Sequence, residues 1–84
     1  MNKQIEELTL MLLYLTAWEE EVPPFGVHKR SWKAFNSRIL DKLDADGLLV
    51  GSEKSNSVFL TAEGAFRAQA LVKKYLGEKE IQQL

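Results

Sequence analysis

Apolar residues at Ile5, Leu8, Met11, Leu12, Leu15 and Trp18 recur three and four positions apart, which predicts an amphipathic helix along the start of the chain. Asn2 stands where an N-cap belongs, and Glu6 and Glu7 lie near the positive helix start. Leu10, Leu13 and Tyr14 widen the apolar arc beyond what a helix lying on one core needs, which makes them candidate homodimer-interface residues. The competing expectation is that later segments of the chain wrap both sides of this helix. Val22-Pro23-Pro24-Phe25-Gly26 should end it, because consecutive prolines remove amide donors and push the preceding residue out of helical geometry.

A loop or short extended segment is then expected to about Lys29, followed by a single helical turn capped by Ser31 and carrying Trp32 and Phe35. Asn36 is the expected cap of a helix over Ser37 to Asp46, with Ile39, Leu40 and Leu43 inside, Ser37, Arg38, Asp41 and Lys42 outside, and Gly47 as its stop. Leu48 to Val50 and Ser57 to Leu60 are β-prone runs joined by a glycine- and serine-rich connection, which predicts a hairpin. Thr61 should cap a last helix running through Ala65, Ala68, Val72 and Tyr75 to Gly77. The expected fold is therefore a single domain over 1–84, mainly α with a small β-hairpin, in the order helix, short helical turn, helix, two-stranded hairpin, helix.

Leu40-Asp41-Lys42-Leu43-Asp44-Ala45-Asp46-Gly47-Leu48-Leu49, followed by Ser57-Val58-Phe59-Leu60-Thr61-Ala62-Glu63-Gly64, resembles the second half of bacterial winged-helix regulators. Over its whole length the chain is similar to a family of short bacterial proteins of unknown function, in its leucine-rich first helix ending at Trp18-Glu19-Glu20, its Ser31-Trp32-Lys33 element and the same hairpin. The resemblance implies a winged-helix-like fold and supplies no activity, cofactor or catalytic residue. It also departs from the regulator pattern, since no full supporting helix fits between Gly26 and Asn36.

Composition narrows the function classes. The chain has 84 residues, no cysteine and one histidine, which excludes disulfides and thiolate metal sites and leaves few zinc ligands. Asp44 to Gly47 echoes a calcium loop, but Lys42 stands where its first carboxylate ligand belongs. The apolar run Leu8 to Leu15 is too short to span a membrane and lacks the flanks of a signal peptide, so a cytoplasmic protein is expected. Net charge is -1, yet it is segregated: residues 1–25 carry -4 and residues 26–43 carry +4.

That basic block supplies the main candidate chemistry, duplex DNA binding with a role in transcription regulation. Lys29, Arg30 and Lys33 precede the second helix, Ser37, Arg38 and Lys42 lie on it, and Lys54 and Asn56 occupy the hairpin tip. Arg38 is the candidate base reader, because its fork matches guanine, and the lysines with Arg30 would hold phosphates. The competing reading is a solvated basic face, or one paired with Glu19-Glu20-Glu21. Trp32 and Phe35 are expected in the core against the first helix, with base stacking as the alternative. No phosphate loop, nucleophile elbow or spaced acid pair is present, so an enzyme is not expected. The partners to weigh are double-stranded DNA and a second copy of the chain, and the alternative function is a protein-interaction or dimerisation module.

Overall fold

A computed structural model describes residues 2–24, 26–51 and 56–77 of the chain. The elements are α1 (Lys3–Leu15), β1 (Trp18–Glu21), β2 (Val27–Trp32), α2 (Ser37–Ala45), β3 (Leu49–Val50), β4 (Ser57–Leu60) and α3 (Ala62–Tyr75). The four strands form one antiparallel sheet in the order β1-β2-β4-β3. The architecture is α+β, which corrects the expectation of a mainly α, winged-helix-like chain with one hairpin.

The correction lies in residues 18–32. Trp18 to Glu21, expected as the helix end and a solvated acidic run, is β1, and Ser31 and Trp32, expected in a helical turn, close β2. Opposite charges make this second hairpin favourable: Glu19 faces Lys29 in register, and Glu20 reaches Arg30 on the diagonal. α1 ends at Leu15, well before the proline segment expected to stop it, and between β1 and β2 the Val22 N–H donates to the Gly26 carbonyl at 2.8 Å.

Elsewhere the local signals hold. Asn2 accepts from the Gln4 and Ile5 amides to cap α1, and Asn36 accepts from those of Arg38 and Ile39 to cap α2. The face of α1 turned inward is only partly the expected one, since Met11 is buried and Leu8 and Leu15 pack against the core. Leu10 and Leu13 are buried in the chain's own core with Met11, whereas Ile5 and Leu12 from the predicted stripe are exposed. From Leu10 to Leu15 α1 is apolar on every side, so periodicity selects no face there, and the elements it packs against, α3, α2 and β2, determine which side is buried.

The β3-β4-α3 corner is held by backbone contact. Thr61 Oγ1 donates to the Gly47 carbonyl at 2.7 Å and accepts from the Gly64 amide at 2.9 Å, while Thr61 N–H donates to the Leu48 carbonyl at 3.1 Å. Gly47 takes φ +78°, which turns the chain from α2 into β3. Gly64 lets α3 lie directly on the backbone that enters β3, since a Cβ there would fall 2.1 Å from the Leu48 carbonyl oxygen. Gly64→Ala should accordingly destabilise the fold by about 3 kcal/mol, the upper range for overpacking, and Thr61→Ala by about 1–2 kcal/mol through loss of the cap. Urea denaturation read by circular dichroism checks both.

Candidate functional site

Side chains alternate across the sheet, so the burial of Ser31 fixes both of its faces. Ser31 lies 3.2 Å from Thr16 Oγ1 at the end of α1, which puts Ser31, Lys29 and Val27 of β2 on the helix side. Val58, the register partner of Ser31, and the facing pair Leu60 and Leu49 are buried there in a single core with α1, α2 and α3. The other face therefore carries Trp18 and Glu20 from β1, His28, Arg30 and Trp32 from β2, Ser57 and Phe59 from β4, and Val50 from β3. No described element covers it.

This open face is aromatic and internally neutralised. Trp18 and Trp32 are in contact with ring centroids 5.0 Å apart and planes tilted by 48°. Arg30 pairs with Glu20, donates through Nε to Ser57 Oγ at 2.6 Å and lies over the Phe59 ring at 4.9 Å. His28 meets the same ring edge-on at 6.4 Å. Trp32 is 61% exposed and Val50 47%, values high for large apolar residues on an ordered strand. Beside them, Val22, His28, Val50, Phe59 and Leu60 line a largely apolar hollow of about 390 Å³.

The basic residues singled out in the sequence do not converge on one surface. Lys29 is on the helix side, near Glu19 at 3.9 Å and over the Tyr14 ring at 5.2 Å, while Arg30 is on the open face. Lys33 follows β2, and its N–H donates to the Asn56 carbonyl at 2.9 Å. Ser37, Arg38 and Lys42 are exposed on α2, with Lys42 Nζ 2.7 Å from Asp46. Hydrogen bonding to that carboxylate holds the Lys42 ammonium above its ordinary pKa. Asn56 is exposed at the start of β4, and Lys54 lies outside the described residues. Of the proposed interface residues, Leu10 and Leu13 are core, and Tyr14 is half-buried with its hydroxyl accepting from Gln69 at 2.9 Å.

Trp32 is the main correction among the aromatics, because it is not core, whereas Phe35 does pack against the core. Trp18, Phe59 and Val50 were not singled out in the sequence as surface-site residues. The available signal was the mirror arrangement of Trp18-Glu19-Glu20-Glu21 and His28-Lys29-Arg30-Ser31-Trp32 about a proline turn, which pairs acid with base and brings the two tryptophans together. Coupled indoles at this spacing should give an exciton couplet in the far-ultraviolet circular dichroism. Trp18→Phe or Trp32→Phe is each expected to abolish it while leaving the helical signal intact.

Among the described residues, no group of three or more histidine, aspartate or glutamate side chains is placed to hold a metal ion, and no helix is long and apolar enough to cross a membrane. No curated protein and no solved structure matches the chain. Residues 1–78 match the family described as a domain of unknown function (DUF6429), and the chain belongs to that family.

Proposed function

We propose that the protein is an interaction module that docks a protein partner on the open face of its sheet, through Trp18, Trp32, Phe59 and Val50. The observation that carries this reading is the exposure of Trp32 and Val50 on a face that no described helix covers. Tryptophan, other aromatics and arginine are the residue types that dominate protein interfaces, and this face holds them within a few ångströms of one another. Its charge points to the same kind of partner. Arg30 is matched by Glu20, so the patch suits an apolar, uncharged surface better than a polyanion.

Contact with duplex DNA receives less support from the geometry. Phosphate binding depends on cations that exchange their counterions for the backbone. Lys29, Arg30 and Lys42 each have a carboxylate of this chain within ion-pair distance, and they are divided among the two sheet faces and α2. Stacking of unpaired bases on Trp18 and Trp32 is the competing use of the same surface.

Two measurements separate these uses. Random duplex and single-stranded oligonucleotides titrated at physiological salt should give no saturable change in tryptophan fluorescence below about 100 µM, the tight edge of nonspecific affinity being far stronger than that. A photo-crosslinking amino acid at position 32, in the cells that make the protein, should yield protein adducts that the same group at exposed Lys73 does not. Nucleic-acid adducts at position 32, or saturable oligonucleotide binding, would contradict the reading.

A further inference from the structure

The docking face carries both a projection and a recess. Trp32 projects at one end of β2, and the hollow floored by His28 and Phe59 lies toward the other. Trp32 lies four residue steps along the strand from His28, a span of about 13 Å. Between them sits Arg30, held by Glu20 and Ser57. Resting on the docking reading above, we propose that the occupant of this face is a second copy of the same chain, packed face to face about a two-fold axis near Arg30, with Trp32 of each copy filling the hollow of the other.

Three features favour this occupant. A two-fold axis makes every contact occur twice, so a surface must supply its own complement, and here one face bears both the apolar projection and the apolar recess. The hollow, at about 390 Å³, has room for an indole, and sheets packed face to face stand about 10 Å apart, within reach of a tryptophan side chain. Charge is self-complementary as well. Each Arg30 enters the interface already paired with its own Glu20, so docking buries no unmatched ion and brings no like charges together without a counter-charge. A basic or acidic partner would have to break that pair to gain from either charge.

The decisive experiment is sedimentation velocity on the full chain from about 1 µM to about 1 mM, the range over which weak and moderate affinities are read. A reversible monomer–dimer equilibrium is expected. Trp32→Ala, which removes the projection, and Val50→Glu, which charges the rim of the recess, should each weaken it at least about tenfold, as interface anchors do. Leu12→Glu, on the exposed side of α1, should leave it unchanged. Trp32 and Val50 are both exposed, so circular dichroism should confirm that each variant keeps its fold, and either one alone carries the test.

A chain that stays monomeric throughout, or a dimer broken by Leu12→Glu and not by Trp32→Ala, would overturn the proposal. Position 32 crosslinks then distinguish the two levels. Adducts to a different protein alongside a monomeric chain would remove the second copy and leave the docking face standing. A monomeric chain with no protein adducts would remove both.

Discussion

Packing of α1, α2 and α3 against one side of the sheet is the constraint on which the rest of the structure depends. With Ser31 buried beneath the end of α1, the pleat assigns each residue of β2 to a face, and the register passes that assignment to β1, β4 and, through β4, to β3. Val58, Leu49 and Leu60 enter the core with Leu10, Leu13 and Val72. Trp18, Arg30, Trp32, Phe59 and Val50 are left together on the other side. Neither group could change faces alone, because a slip of one residue would exchange them wholesale. Burial of one face and concentration of aromatic side chains on the other are therefore a single event.

The β1–β2 hairpin shows how charge serves this arrangement. Its acidic and basic runs are consumed largely within the hairpin, through Glu19 with Lys29 and Glu20 with Arg30. Such partly exposed pairs contribute at most about 1 kcal/mol each. Their larger effect is on recognition. A chain segment that reads as a basic block becomes a surface with little net charge, in which Arg30 braces Phe59 and Ser57 rather than reaching outward. Specificity then rests on shape and apolar contact.

Much of this was legible in the sequence wherever a signal was local. Asn2, Asn36 and Thr61 cap the helices they were expected to cap, Gly47 turns the chain, and the β3–β4 strands fall where β-prone runs flank a turn. The hairpin of residues 18–32 was less legible, because consecutive charges carry low strand propensity and only their cross-strand complement makes them strands. Periodicity could not choose the inner side of the last turns of α1 either, for every residue from Leu10 to Leu15 is apolar. Gly64 was visible as part of a motif, but its reason, the Leu48 carbonyl beneath it, is a tertiary contact. The candidate site followed the same logic. Trp32 stood out as an aromatic, and its exposure depended on a strand that had first to be paired.

One-sided coverage of the sheet is tested most directly by paramagnetic relaxation from a soluble probe, recorded at a concentration where the chain is monomeric. The Trp32 indole and Val50 methyl signals should broaden strongly, while those of Val58, Leu49 and Leu13 should be untouched. Protection of Trp32 and Val50 equal to that of Val58 in the monomer would mean that the face is covered within the chain itself, and would contradict the account.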